Sequence, residues 1–216
     1  MKIVIVGAGG QARVVHEICS LNRNLEVVAF VDNKAPESEE FIRNVPVVGD
    51  HSVLPKLIKN GVRGVIIAIG DNTIRATYFE KFRGMGLEMV NAIHPSSFIA
   101  NNVEIASGVT ICIGSIIATE AIIGNNVIIN TGATIDHENK VGDHASIGPR
   151  CAVAGRVIIK KGAYLGIGST VKEYVTIGKN AIIGAGSVVL EDIPDNVVAV
   201  GIPAKVIKTN DKGNRR

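Results

Sequence analysis

The chain has 216 residues, 46% of them hydrophobic, which is enough for two modest domains, each with its own core. A formal charge of +3, with Lys205, Lys208, Lys212, Arg215 and Arg216 gathered at the C-terminus and no basic stripe interleaved with aromatics, argues against nucleic-acid binding and for a solvated, frayed tail. Aromatics make up 4% of the chain, with no Trp, against 24 glycines, so the core must be filled by repeated small aliphatic layers.

The first ninety or so residues alternate in the βαβ manner. The apolar start, Ile3 to Val6, is too short for a signal-peptide core and runs straight into Gly7-Ala8-Gly9-Gly10. It reads as a strand over Lys2–Val6, followed by a Gly-rich turn and a helix over Gln11–Leu21. Val27–Val31 is the next strand, ending at Asp32-Asn33. A loop with Pro36, Glu37, Glu39, Glu40, Pro46 and Asp50 follows. Helices over Ser52–Lys59 and Thr73–Arg83 flank a strand at Gly64–Ile69, and Glu88–Ala92 is the last strand. Continuous aliphatic runs between amphipathic helices predict a parallel sheet covered on both faces, a small Rossmann-like domain over residues 1–92. Residues 93–98, with Pro95, Ser96 and Ser97, read as a short ordered connector.

From residue 99 the period changes. Ile99, Ile105, Ile111, Ile117, Ile123, Ile129, Ile135, Val141, Ile147, Val153, Ile159, Leu165, Val171, Ile177, Ile183 and Val189 fall on every sixth place without an insertion. Small residues such as Ala121, Ala133, Ala145, Ala163, Ser169, Ala181 and Ser187 recur four places later, and Gly often follows the aliphatic directly, as at Gly124, Gly142 and Gly148. Each hexad then forms one face of a triangular coil, three hexads close a turn, and turns stack about 4.8 Å apart. The expected fold is a left-handed parallel β-helix of hexapeptide repeats over residues 99–194, with a C-terminal extension over 195–216. Sixteen hexads make a little over five coils.

Cys19, Cys112 and Cys151 form no CxxC pair or metal-ligand cluster and read as reduced core residues. The run Val65–Ile69 is cut short by Gly70-Asp71, so no membrane insertion is expected, and a cytoplasmic location follows. The loop Gly7–Gln11 opens a helix whose free N–H groups and dipole can face phosphate, with Asp32 the acid at the second strand's end. It is not a full GxGxxG, because Ala12 holds the third glycine place, and the half-size domain suits a single nucleotide diphosphate better than a dinucleotide. Gly9, Gly10, Gln11, Asp32, Asn33 and Gly70 are the candidate contacts. His137 and Glu138 hold neither the inward nor the small corner place of their hexad, so both should project from the coil surface near a corner. Imidazole can accept a proton at neutral pH, and a neighbouring carboxylate strengthens it as a base.

Taken together, Gly7–Gly10, Ile67-Ala68-Ile69-Gly70-Asp71-Asn72-Thr73-Ile74-Arg75, Ile93-His94-Pro95, Asn130-Thr131, Ile135-Asp136-His137-Glu138 and Gly201-Ile202-Pro203-Ala204-Lys205 carry a resemblance over nearly the whole chain. The sequence resembles the nucleotide-sugar acetyltransferases of 4-amino sugars, the group containing bacillosamine-pathway and perosamine N-acetyltransferases and sialic acid O-acetyltransferases. That resemblance implies acetyl-CoA bound between neighbouring subunits of a homotrimer and a nucleotide-activated amino sugar held by the first domain. It places the general base on His137, its orienting carboxylate on Glu138 and the Asn beside the base on Asn130. It brings Gly155, Ile167 and Ala185 to the cofactor groove. Relatives often carry a second His where this chain has Ser146, so a hydroxyl would replace the imidazole at that cofactor contact, while His144 is either a corner surface residue or a neighbour of the site.

The expected activity is acetyl-CoA-dependent N-acetylation of an NDP-4-amino-6-deoxy sugar for surface glycan synthesis, by direct attack and without a metal. Two alternatives are a sugar O-acetyltransferase of the same architecture and a non-catalytic β-helix scaffold. A β-helical carbonic anhydrase would need three converging histidines, and the β-helix has only His137 and His144.

Overall fold

The computed structural model describes residues 1–33 and 41–210. In chain order the first unit contains β1 (Lys2–Val6), α1 (Gly10–Ser20), β2 (Glu26–Val31), a small hairpin of β3 (Phe41–Ile42) and β4 (Val45–Pro46), α2 (Leu54–Lys59), β5 (Gly64–Ile67), α3 (Asn72–Gly84) and β6 (Glu88–Met89). The four long-range strands are parallel, in the order β2–β1–β5–β6. Alternation along β1 explains the layers. Ile3 and Ile5 pack with Ala12, Val15 and Ile18 of α1, whereas Val4 and Val6 pack with Leu54 of α2 and Phe79 and Phe82 of α3. The helix expected over Ser52–Lys59 is split: a 3₁₀ turn over His51–Val53, capped by the Asp50 carboxylate, precedes α2, which carries Pro55 in its first turn.

The chain leaves β2 on one side of β1 and returns as β5 on the other. That reversal opens a crevice at the carboxyl ends of the strands. The Gly7–Gly10 loop follows β1, and Ile69-Gly70-Asp71 follows β5, so both loops border it.

The second unit is a β-solenoid of about six turns, with two-residue strands stacked in ladders of six, six and five, the first extended to eight by the longer strands Val197–Val200 and Lys205–Thr209. Register advances by one coil of eighteen residues, as in Thr110↔Ile128, Ile128↔Ser146 and Ser146↔Tyr164. From Ile111 to Val189 the second residue of each two-residue strand points inward, and Ile111, Ile117, Ile129, Ile135, Ile147 and Leu165 are wholly buried. From Ile105 to Ile183 the third place after each inward aliphatic turns the chain through the left-handed region, as at Gly132 (φ 65), Glu138 (φ 58) and His144 (φ 61). Glycine directly after the aliphatic has a separate cause. A Cβ at Gly148 would lie 2.5 Å from the Leu165 carbonyl oxygen of the next coil, so close stacking excludes it.

Two stretches differ from the expectation. Ala92–Ile93 already pairs in register with Thr110–Ile111, and Phe98–Ile99 with Ile116–Ile117, so the expected connector lies within the first turn of the solenoid. This adds one hexad, a third of a turn, to the little over five coils read from the sequence. At the other end Val198 pairs with Ile182 after sixteen residues instead of eighteen. Asp192 and Asp195 there accept the backbone N–H groups of Thr176 and Lys179, each at 2.7 Å. Lys205–Thr209 folds back antiparallel on Val197–Val200, so Lys205 and Lys208 sit on a paired, exposed edge strand and not on a frayed tail. Lys212, Arg215 and Arg216, and the loop residues Pro36, Glu37, Glu39 and Glu40, lie outside the described residues. Among the described residues, no helix is long and apolar enough to cross a membrane.

Candidate active site

The corner after Thr134–Ile135 carries the imidazole. Glu138 adopts the left-handed conformation, which turns the chain and brings its side chain back beside the preceding residue. Glu138 Oε2 lies 2.9 Å from His137 Nδ1, and the Asp136 carboxylate accepts the His137 backbone N–H at 2.7 Å. With Nδ1–H donating to the carboxylate, Nε2 is the atom left to take a proton. The next coil fixes the ring's place. A Cβ at Gly155 would fall 2.5 Å from Nε2 and 2.6 Å from Cε1, so only glycine there lets the imidazole lie against the coil. Gly155 thus lies directly against the His137 ring. Glu138 also accepts from Arg156 Nε at 2.8 Å. That bond first, and the His137 bond second, hold the Glu138 carboxyl below the usual carboxylate range.

A second centre lies between the two units. A cleft of about 660 Å³ is lined by Gly9, Gly10, Gln11, Asp32 and Gly70 from the first unit and by Asn130, Ser146 and Ile167 from the coils. It adjoins a cleft of about 590 Å³, with which it shares Gly7, Gly9, Asp32 and Ile69, and which Asn33, His51 and Tyr78 close. The Asp32 carboxylate accepts the Ala8 N–H at 2.8 Å and so shapes the Gly-rich loop, while Asn33 Nδ2 donates to Tyr78 Oη at 2.9 Å. Gly9 caps α1 without a side-chain bond, no acid stands in the first turn, and a Cβ at Gly9, Gly10 or Gly70 would meet nothing within 4 Å. The helix therefore offers unpaired N–H groups to open space, the arrangement that binds phosphate.

The structure joins most of the expected sugar contacts and separates them from His137. Asn130 follows Ile128–Ile129, whereas His137 follows Thr134–Ile135, so the two stand at opposite ends of one coil face. Ile167 is exposed, on the same corner as Asn130 but higher up the stack, and Ala185 lies one coil above Ile167. Ser146 is buried, and its hydroxyl donates to Asn72 Oδ1 at 2.7 Å and accepts from Arg75 Nη2 at 3.1 Å. Its bonds go to the first unit. His144 is buried too, bonded to Asn126 at 2.9 Å and packed edge-on against Phe79 with ring centres 5.5 Å apart, which makes it a packing residue between the units. The three cysteines are buried, and burial pushes Cys19 up to about 12 and Cys112 to about 11, so neither supplies a thiolate.

Arg75 received no role from its motif alone, yet it joins the units. Its guanidinium is wholly buried, with Nε donating to the Asn126 carbonyl at 3.1 Å and Nη2 to the His144 carbonyl and Asn72 Oδ1, each at 2.9 Å. Nη1 donates to the Ile69 carbonyl at 3.1 Å, on the rim of both clefts. Burial lowers the guanidinium to about 9, which leaves it charged at neutral pH. Asn72 completes the seam by donating to the Gly162 carbonyl at 3.0 Å.

A hexapeptide solenoid with a carboxylate-backed imidazole on one corner, docked to an α/β unit with a Gly-rich cleft, defines a class: hexapeptide acyltransferases with an α/β first domain. Residues 2–82 match the PglD N-terminal domain, and residues 156–191 match the bacterial transferase hexapeptide (six repeats). UDP-N-acetylbacillosamine N-acetyltransferase of Bacillus subtilis (strain 168) is 33% identical over 116 residues, 51% of this chain and 50% of that protein. GDP-perosamine N-acetyltransferase of Escherichia coli O157:H7 is 31% identical over 107 residues, 50% of this chain and 48% of that protein. The chain thus spans about half the length of the curated relatives it matches.

Two solved structures align over almost the whole chain. A histidine-to-alanine variant of GDP-perosamine N-acetyltransferase from Caulobacter crescentus, in complex with CoA and GDP-perosamine, is 40% identical with a TM-score of 0.92, covering 96% of this chain and 97% of that one. The acetyltransferase domain of PglB from Neisseria gonorrhoeae FA1090, in complex with acetyl coenzyme A, is 26% identical with a TM-score of 0.88, covering 95% and 98%. The chain belongs to this family of nucleotide-sugar N-acetyltransferases.

Proposed function

We propose that this protein moves the acetyl group of acetyl-CoA onto the amino group of a nucleotide-activated 4-amino-6-deoxy sugar, with His137 as the general base. The observation that carries the reading is the His137–Glu138–Gly155 corner, where Nδ1 is tied to a carboxylate and Nε2 is left to accept. In the proposed step the sugar amine attacks the thioester carbonyl and forms a tetrahedral oxyanion. Its proton passes to Nε2. Collapse breaks the C–S bond, and the imidazolium returns that proton to the CoA thiolate, leaving amide and thiol. No covalent enzyme intermediate is needed, in keeping with buried thiols whose ionisation is suppressed.

In this reading the nucleotide diphosphate lies at the α1 N-terminus, with Gly9, Gly10, Gln11, Asp32, Asn33 and Gly70 around it and Asn130 and Ile167 on the coil side. A single chain holds this cleft and His137 on different coil corners. A homotrimer, in which the corner of one copy meets the cleft of the next, would unite them, and cyclic closure would satisfy every such interface. Ala185 then stays with the groove for acetyl-CoA, and Ser146 supports that groove from beneath.

The test is a panel of UDP-, GDP- and dTDP-linked amino sugars incubated with acetyl-CoA, following thiol release and the alkali stability of the product. His137→Ala is expected to cut kcat by about 10²–10⁴ while both KM values stay within a few-fold. Near wild-type turnover by that variant on the true acceptor would place proton removal elsewhere. An alkali-labile product would point to an ester and an O-acetyltransferase.

A further inference from the structure

Glu138, Arg156 and Tyr174 occupy the same corner of three successive coils, all in the left-handed region, with φ of 58, 60 and 64. The eighteen-residue coil therefore places their side chains one above another. One oxygen, Glu138 Oε2, faces both the His137 Nδ1 at 2.9 Å and the Arg156 Nε at 2.8 Å. Arg156 is held at its other end as well. Its Nη1 donates to Tyr174 Oη at 2.8 Å, and the guanidinium carbon stands 5.6 Å from the Tyr174 ring centre. Its backbone N–H donates to the His137 carbonyl at 2.9 Å. An arginine on a surface corner is ordinarily free to move in solvent. These contacts fix this one.

We infer that Arg156 is a positioning residue that divides the Glu138 carboxylate between itself and the imidazole, and thereby sets the proton affinity of His137. The inference rests on the reading of His137 as the base. Its sign follows from the charges. Glu138 favours the imidazolium, whereas the Arg156 cation, bonded to the same oxygen, opposes it and draws on the same lone pairs. Arg156 thus keeps the imidazole in its proton-accepting form at lower pH than Glu138 alone would allow. The other titratable groups at this corner are Asp136, whose bond is to the His137 backbone N–H, Glu120 one coil below Glu138, Glu173 beside Tyr174, and Lys172 two coils above Asp136. Among the described residues, none of the four bonds to the imidazole.

The experiment compares wild type with Arg156→Gln, Arg156→Lys and Tyr174→Phe by two readouts. The first is an NMR titration of the histidine rings, five in the chain, with the His137 signal identified by its loss in His137→Ala. The second is the acidic limb of the kcat/KM–pH profile. Arg156→Gln should move the His137 midpoint to higher pH by roughly half a unit, the scale of a partly exposed ion pair. Arg156→Lys should restore most of the wild-type position, and Tyr174→Phe should fall between. A midpoint that stays in place or moves down in Arg156→Gln overturns the inference, as does equal behaviour of the Gln and Lys variants. If the NMR midpoint rises but the kinetic limb does not follow, the tuning stands and the assignment of His137 as the base fails.

Discussion

Replacing Arg75 by Met keeps the length and apolar stem of the side chain while removing all its donors. In the wild type the guanidinium serves two coil carbonyls, Asn126 and His144, that no other donor reaches among the described residues. It also serves Asn72 Oδ1, Ser146 Oγ and the Ile69 carbonyl. Ser146 and Asn72 keep their bond to each other, so their loss is partial. The two orphaned carbonyls dominate. An unsatisfied buried acceptor costs about 1–3 kcal/mol, so the pair costs about 2–6, and water entering the seam would bring it toward the lower half. About 4 kcal/mol is a fair centre. For a chain of 150–250 residues that corresponds to a fall in Tm of roughly 8–16 °C.

Where the loss falls matters as much as its size. Each unit has its own core, so Arg75→Met should loosen the seam before it unfolds either unit. Nη1 also fixes the Ile69 carbonyl on the rim of the clefts, so the nucleotide-sugar KM should rise with the loss of stability while that for acetyl-CoA moves less. Differential scanning calorimetry and steady-state kinetics on the full-length variant measure both. A variant with wild-type Tm and wild-type sugar KM would show that the buried guanidinium neither holds the units together nor shapes the cleft.

Two further outcomes follow from the glycines. Gly155→Ala should leave the coil folded, because the clash is with a side chain that can rotate away, but the displaced imidazole should lose roughly 10² in kcat, readable by steady-state kinetics with little change in KM. Gly10→Val meets no protein atom, so circular dichroism should match wild type while the sugar KM rises roughly tenfold or more, the worth of a hydrogen bond to a charged oxygen; an unchanged KM would move the diphosphate away from α1.

The solenoid was legible because its signal is a strict period in one residue class, and every inward aliphatic from Ile105 to Val189 reports the same packing constraint. Its first strand was not, because Ala92–Ile93 follows closely on β6, and Ile93 is itself exposed. His137 and Glu138 were readable as neighbours in sequence that must also be neighbours at a corner. Arg156 and Tyr174 were missed because their relation to Glu138 is a separation of eighteen, visible only once three hexads are treated as one coil. Arg75 and Asn72 stood within a quoted motif, yet their roles depend on the coils they face, and no local pattern carries that. Ser146 is the reverse case: the resemblance suggested a cofactor contact for its hydroxyl, and what no local pattern shows is that this hydroxyl bonds to Asn72 and Arg75 of the first unit.

Under the proposed function, this division separates the residues of specificity from those of chemistry. The coil is rigid by construction, since a change of one residue in its period would turn an inward aliphatic outward, so its corners are fixed points on which a base can be mounted. Because coils stack in register, the surroundings of each corner residue are set by the residues eighteen places before and after it. Gly155 gives His137 its room, and Arg156 gives Glu138 its second partner. The first unit contributes what a coil cannot: a helix N-terminus at a crevice, bordered by the loops after β1 and β5. Variation in acceptor can then arise in those loops while the corner carrying His137 stays as it is. The buried Arg75 seam is what keeps the two in a constant relation.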